Sequence, residues 1–174
     1  SFIKSYYDNR YYDITILSGK CHIKGYAEIV SSDGTITQKD DIYGAVEQAK
    51  DGETIRLNCN ANAKRQIVIT KNLTINGNDY CYSAYPDIFE DMHQPMILVK
   101  SDKKITVNIK NMGIWANSCY SGGIQIGNDN VLNLDSVRIN GTDNKLGGGA
   151  IHADDNSVVN CKDCNLSGHF MTGY

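Results

Sequence analysis

Short apolar–x–apolar steps that run into polar or glycine turns recur along this chain. Four of these steps end alike, at residues 73–75, 112–114, 137–139 and 164–166. The interval between the first two steps is clearly longer than the two intervals that follow. Alternation with a period of two predicts short strands that bury one face.

The last two repeats align with each other over a full period. Three pairs of steps keep one constant separation: 124–126 and 151–153, 132–134 and 159–161, and 137–139 and 164–166. Gly122 and Gly149 are matched in the same way. Three strands in a repeat of about 25 residues are typical of a parallel β-helix. We therefore predict an all-β fold, a right-handed parallel β-helix of about four coils in which Cys161 stacks on Leu134.

A column of bend-forming residues supports this register. Asn72, Asn111, Ser136 and Asp163 each precede one of the four steps. Such side chains bond their own backbone, and Asn and Asp also tolerate the left-handed region. We expect them to stack as a polar ladder along one corner.

A short amphipathic helix is predicted at residues 41–50, with Asp40 or Asp41 as its N-cap and Gly52 as its end. Its apolar face consists of Ile42, Ala45, Val46 and Ala49. Strands are predicted at residues 54–57 and 67–69. Because an open coil exposes apolar side chains and strand edges, we assign the helix to a cap over the first coil.

The chain divides into an N-terminal β segment, residues 1–39, and a β-helix, residues 40–174. In the first part, residues 14–16, 21–23 and 27–30 alternate weakly and predict antiparallel strands. They extend the cap or belong to a preceding module. Nothing after Leu166 resembles a cap, so we expect the natural protein to continue or this chain to self-associate through its open C-terminal coil.

Two segments carry a resemblance to known proteins. Residues 41–77 resemble the opening of right-handed β-helix proteins of the pectate-lyase-like (pectin lyase-like) superfamily. The Gly-Gly-Ala-Ile sequence at 148–151 is similar to the repeat of polymorphic adhesin-like surface proteins. The resemblance covers residues 40–174, and the superfamily spans lyases, hydrolases, tailspikes and adhesins, so it implies a fold more than a function.

Composition excludes some partners. The net charge of −3 arises from 17 basic and 20 acidic residues that are mixed along the chain, which is no footprint for nucleic acid. Apolar runs are far too short to span a bilayer, so we expect no membrane insertion by this segment. Six cysteines are too few for a disulfide framework.

The cysteines predict core packing and one candidate disulfide. Cys161 and Cys164 occupy columns that hold apolar residues one repeat earlier, so we predict core thiols, with no metal site and no cofactor. Cys81 and Cys119 lie in similar segments, 80–83 and 118–121, and we expect them at one corner of adjacent coils, within disulfide range. Unpaired thiols are the alternative.

The longest interval places an insertion within residues 78–94, which we predict to be the ligand-binding segment. The candidate binding residues are Tyr80, Tyr82, Tyr85, Asp87, Phe89, Glu90 and His93. Aromatic faces beside carboxylates suit sugar rings. The alternative is that these aromatics only pack the loop onto the coil, and Trp115 has the same two interpretations.

No catalytic residues are predicted. Asp154, Asp155 and His169 invite comparison with the polygalacturonase group of the superfamily, whose reaction needs two carboxylates. The Arg-x-Lys element of that group is absent, however, and His169 stands in Ser-Gly-His-Phe rather than Gly-His-Gly. An ordinary polar turn is the simpler interpretation of these aspartates.

These observations predict a non-enzymatic, adhesin-like module of a secreted or cell-surface protein, extracellular in location. Its expected partner is a polysaccharide or host-surface glycan, bound through the insertion. The alternative is the N-terminal part of a polysaccharide lyase or glycoside hydrolase whose catalytic coils lie downstream. A third interpretation is a spacer without a ligand.

Overall fold

Two parts of the chain are described at different depth. The computed structural model describes the backbone of residues 2–4, 11–17 and 20–23, and the backbone and side chains of residues 26–85, 88–116, 122–140 and 149–167. The first part forms an antiparallel sheet of β1 (Phe2–Lys4), β2 (Tyr11–Leu17) and β3 (Lys20–Ile23). The antiparallel strands predicted near the N-terminus are therefore confirmed.

A second hairpin joins the main sheet. Strands β4 (Ala27–Val30) and β5 (Ile36–Lys39) pair antiparallel, and β4 also pairs antiparallel with β6 (Thr54–Leu57). The turn between β4 and β5 places Gly34 at a φ of 84°. Part of the segment 1–39 thus extends the sheet that follows it.

Helix α1 (Ile42–Gln48) begins and ends through identifiable caps. Asp41 Oδ1 accepts a hydrogen bond from the Gly44 N–H at 2.7 Å, which confirms Asp41 as the N-cap. The helix ends at Gln48, before Gly52, where Ala49 takes a ψ of 139°, outside the helical region. Lys71 Nζ then satisfies the Val46, Glu47 and Ala49 carbonyls, the last at 2.7 Å. The predicted face is buried, and Tyr43 joins it.

The other strands form three parallel sets. The first strand set contains β6, β9 (Leu73–Asn76), the first half of β12 (Thr106–Ala116), the first half of β14 (Val131–Asn140) and β16 (Val158–Lys162). The second strand set contains β7 (Ala61–Ala63), β10 (Cys81–Ala84), the second halves of β12 and β14, and β17 (Asn165–Leu166). The third strand set contains β8 (Ile67–Ile69), β11 (Ile97–Val99), β13 (Ile124–Ile126) and β15 (Ile151–Ala153).

The chain passes through the first, second and third sets in that order and then returns to the first. Each strand pairs in parallel with its counterpart one repeat later. Leu134 is the neighbour of Cys161, so the predicted stacking of these two residues is confirmed. The described fold is thus all-β apart from α1, with parallel sheets.

The core consists of inward columns of matching apolar residues. Ile55, Ile75, Ile109 and Leu134 are neighbours on consecutive strands of the first set, and each is at most 2% exposed. Full burial of an aliphatic side chain contributes roughly 1.5–3 kcal/mol before the loss of chain entropy. These stacked columns hold the sets together.

The predicted register of the second repeat was wrong. Residues 73–75 pair with 107–109, not with 112–114, and Ile114 is instead the neighbour of Tyr82. The chain between Ile75 and its neighbour Ile109 is longer than the chain between any other two neighbours in this column. The strands of the first and second sets have the same apolar–x–apolar pattern. The step at 73–75, in the first set, was therefore matched to the step at 112–114, in the second set.

The bend between the first and second sets uses left-handed residues. Asn111, Ser136 and Asp163 have φ values of 50°, 58° and 52°, which confirms three members of the predicted bend column. Asn72 is not a member. It precedes β9, and its Oδ1 accepts the Thr106 N–H at 2.8 Å.

Candidate functional site

Two of the predicted binding aromatics belong to the core. Tyr82 is 0% exposed, and its hydroxyl lies 3.0 Å from the Tyr43 hydroxyl and 3.3 Å from the Arg65 carbonyl oxygen. Phe89 is 5% exposed, and Tyr80 packs partly buried against the core. The assignment of Tyr82 and Phe89 as ligand-binding faces was therefore wrong, because an enclosed ring presents no face to a ligand.

The rest of the insertion follows β10 and lies on the preceding connection. The Glu90 N–H donates to the Lys64 carbonyl at 2.7 Å, and Gln66 Nε2 donates to the Pro95 carbonyl at 3.0 Å. Glu90 and His93 are exposed, whereas Asp87 lies outside the described residues. The insertion is thus held through hydrogen bonds of its own backbone, one to a backbone carbonyl and one from a side chain, and only part of the predicted set is accessible.

The Cys81 thiol is free in the structure, and Cys119 lies outside the described residues, so their disulfide stays a prediction. The shared corner proposed for them does not follow from the register, because Cys81 is the neighbour of Gly113. A Cβ on Gly113 would lie 2.7 Å from Cys81 Sγ and 3.0 Å from Trp115 Nε1. The missing side chain therefore makes room for the thiol and the indole.

An aromatic surface remains on the outward side of the second strand set. We define it as Asn62, Ser83, Tyr85 and Trp115. Asn62, Ser83 and Trp115 are neighbours on consecutive strands, and Tyr85 directly follows β10. Trp115 is 38% exposed and Tyr85 is 44% exposed. The surface thus combines two accessible rings with an amide and a hydroxyl.

A groove of about 470 Å³ crosses the outward side of the first strand set. Two columns of polar or charged side chains line it, together with Thr74, Ile109, Leu134 and Cys161. The amide column is Asn108, Asn133 and Asn160, and the charged column is Lys110, Asp135 and Lys162. Sequence reasoning missed this groove, although the alignment of the last two repeats already matched Asn133 with Asn160.

A third polar cluster lies on the outward side of the third strand set. His152 Nε2 is 3.1 Å from Asp154 Oδ1, and Gln125 Nε2 donates to the same oxygen at 3.3 Å. Asp154 is thus occupied by these two partners. Asp155 contributes its carbonyl to the Asp129 N–H at 3.1 Å. His169 lies outside the described residues, and no group of three metal-ligating side chains occurs among the residues that are described.

Cys161 and Cys164 occupy the predicted inward columns, but at the last described repeat. Cys164 packs partly buried against the core, whereas Cys161 is exposed, so the prediction of a buried Cys161 was wrong. Although Cys161 is exposed, its thiol is still partly desolvated. This desolvation, together with the neighbouring Cys164, raises the pKa of Cys161. A raised pKa disfavours the thiolate that nucleophilic or metal chemistry requires.

Comparison with known proteins adds no family. No protein-family model, curated protein or solved structure matches this chain. In the part of the chain that the structure describes, no helix has the length and apolar character needed to cross a bilayer.

Proposed function

We propose that the three strand sets wind as a right-handed parallel β-helix of the pectate-lyase-like kind. Parallel pairing of strands one repeat apart supports this, as do the stacked apolar columns. A crossover between parallel strands of one sheet is right-handed in the great majority of proteins, which supports the handedness.

This β-helix acts as a non-enzymatic binding module of an extracellular or cell-surface protein, adhesin-like in character, and its ligand is a carbohydrate. The observation that carries the proposal is the exposure of Trp115 and of Tyr85, which directly follows the strand paired with that of Trp115. Rings of this kind combine a large apolar face with a polar end, and the C–H faces of sugars pack on such faces. The proposed binding site is therefore the aromatic surface, and not the whole insertion within residues 78–94.

The polar members of the aromatic surface fit the same ligand. Asn62 supplies an amide and Ser83 a hydroxyl on strands directly beside Trp115. Each offers both a donor and an acceptor, as a sugar hydroxyl requires. Few placed polar groups around apolar faces are the usual composition of a small-molecule site.

A glycan array followed by titration calorimetry tests the proposal. We expect selective binding of a subset of glycans, weakened about tenfold by Trp115→Ala or by Tyr85→Ala. Ile36→Ala is the matched control, because Ile36 is 49% exposed on β5, away from this surface. Unchanged affinity in both aromatic variants would contradict the proposal, and so would release of reducing ends from a bound glycan.

A further inference from the structure

Two cysteines flank the bend between the first and second strand sets in the last described repeat. Asp163, with a φ of 52°, forms this bend. Cys161 lies two residues before it and Cys164 directly after it. Both cysteines occupy inward columns, one on each side of the bend. Their side chains therefore point towards the same part of the interior.

In the two preceding repeats the matching positions hold buried apolar pairs. These pairs also flank a left-handed residue, and they are Ile109 with Met112 and Leu134 with Val137. Each of the four side chains is at most 2% exposed, so burial holds the two sides of those bends together. Cys161, by contrast, is exposed, and Cys164 is only partly buried against the core. The bend at Asp163 is thus held by much less apolar burial than the two before it.

The two thiols are in contact with each other. The Cys161 thiol forms a hydrogen bond with the Cys164 thiol. Cys164 Sγ also donates to the Lys162 carbonyl oxygen at 3.2 Å, which holds the Cys164 side chain on the Cys161 side of the bend. Both cysteines are free in the structure. A disulfide requires two cysteine side chains that point towards each other rather than apart, and this pair meets that requirement.

We propose that Cys161 and Cys164 form an intramolecular disulfide that closes the bend at Asp163. The oxidant is a low-molecular-weight disulfide such as glutathione disulfide. One cysteine thiolate attacks a sulfur of the oxidant, which forms a mixed disulfide and releases one glutathione thiol. The other thiolate then attacks the protein sulfur of the mixed disulfide and releases the second glutathione. Two electrons pass to the oxidant, and both thiol protons end on the released glutathione molecules.

The raised pKa of Cys161 slows this exchange without setting its equilibrium. Attack requires the thiolate, and a raised pKa lowers the fraction of thiolate at neutral pH. The equilibrium depends instead on the reduction potential of the cysteine pair relative to that of the oxidant. We therefore expect oxidation over hours, within the usual range for uncatalysed exchange.

Redox titration of the full chain in mixtures of reduced and oxidised glutathione tests the proposal. Free thiols are alkylated under denaturing conditions, and a protease that leaves residues 161–164 in one peptide prepares the sample for mass spectrometry. In oxidised mixtures we expect this peptide to be two hydrogen atoms lighter and unalkylated at both cysteines. Dithiothreitol should restore both thiols.

Three variants assign the pair. In Cys161→Ser the thiol of Cys164 should be alkylated in every mixture, and Cys164→Ser should do the same for Cys161. Cys81→Ser is the matched control, because Cys81 is also a free thiol but its strand neighbour is Gly113. It should leave oxidation of the 161–164 peptide unchanged. Far-ultraviolet circular dichroism of every variant verifies that the fold is retained.

A second measurement follows the effect of the bond on the bend. Lys162 is exposed between the two cysteines, so trypsin cleavage after it reports local opening. Oxidised wild-type protein should be cleaved there about tenfold more slowly than reduced protein. Both serine variants should be cleaved at the rate of the reduced form in either buffer, because they cannot form the bond.

The proposal fails if the 161–164 peptide keeps both thiols after equilibration with excess glutathione disulfide. It also fails if the stable product joins either residue to glutathione or to another cysteine, or if oxidised and reduced protein are cleaved after Lys162 at the same rate. Trp115→Ala should leave oxidation unchanged, so the disulfide and the carbohydrate site are tested separately.

Discussion

Two glycines of positive φ show how differently one residue type is used here. Gly122 has a φ of 96°, and a Cβ built on it would lie 2.2 Å from the Gly149 carbonyl oxygen. Gly34 has a φ of 84°, and the same Cβ would meet nothing within 4 Å. Position 34 therefore requires glycine only for its left-handed conformation. Position 122 requires it also because a side chain would collide with the Gly149 carbonyl.

Alanine at these two positions should separate the two effects. Gly34→Ala should lower the free energy of unfolding by about 1 kcal/mol, the usual penalty for a left-handed alanine. Gly122→Ala should lower it by about 2–4 kcal/mol, because backbone atoms cannot yield as a side chain can. Urea denaturation measures both values, and equal losses would show that the close approach to Gly149 is not rigid.

At the residue scale, the sequence predicted which residues match between repeats better than it predicted what each residue contacts. The alignment of the last two repeats already related Gly122 to Gly149, and the carbonyl of Gly149 is what Gly122 must avoid. Tyr82 was misjudged because a tyrosine in a turn-like segment is usually exposed. In the structure it occupies a column that holds Ile114 one repeat later, and its hydroxyl is satisfied by Tyr43.

Strands β4, β5 and β6 are tied together by one buried carboxylate. Glu28 on β4 is 3% exposed, accepts from Gln38 Nε2 on β5 at 2.8 Å, and forms an ion pair with Arg56 on β6. Burial alone would raise the pKa of Glu28. The hydrogen bonds from Gln38 and Arg56 and the charge of Arg56 outweigh burial, so its pKa is lowered.

The sign of this shift sets a pH dependence. A folded-state pKa below the unfolded one means that ionised Glu28 stabilises the protein fully above its unfolded pKa. That contribution is lost as the pH falls through the lower, folded-state pKa. We expect Glu28→Gln to lower the free energy of unfolding by about 1–3 kcal/mol near neutral pH. The difference from wild type should shrink steadily below about pH 4.5, the unfolded value.

Thermal denaturation across this pH range measures the effect. Glu47→Gln is the matched control, because its ion pair with Arg65 joins side chains that are 64% and 50% exposed. We expect it to change stability by less than about 1 kcal/mol at any pH. A Glu28→Gln difference that persisted unchanged in acid would contradict the assigned ionisation.

At the element scale, strand positions were predictable and their partners were not. The predicted strands at 54–57, 67–69, 124–126 and 151–153 have the observed bounds. Alternation fixes which residues face inward, but pairing depends on how many residues each connection holds. The interval from Ile75 to Ile109 is much longer than the one from Ile55 to Ile75, so no single period could assign residues 73–75 to their neighbours.

The inward columns link all repeats, yet their members differ in burial. Ile109 is 0% exposed between Ile75 and Leu134, whereas Cys161 occupies the same column with exposed surface. Ile109→Ala should therefore open a cavity and lower the free energy of unfolding by about 2–5 kcal/mol.

Cys161→Ala is the position-matched control for this cavity. It removes one atom from the same column, where solvent already reaches, and should lower stability by less than about 1 kcal/mol. Chemical denaturation followed by circular dichroism compares the two variants. Equal destabilisation would mean that the last described repeat is as tightly packed as the middle one.

The connection from the second to the third strand set varies in length while the strands it joins keep their register. Residues 64–66 span it in the first repeat and residues 85–96 in the second, and β8 and β11 still pair in parallel. Selection can thus lengthen, shorten or replace this segment without disturbing the scaffold. New binding properties would arise in this connection first. Its sequence would change quickly, while that of the buried core would change slowly.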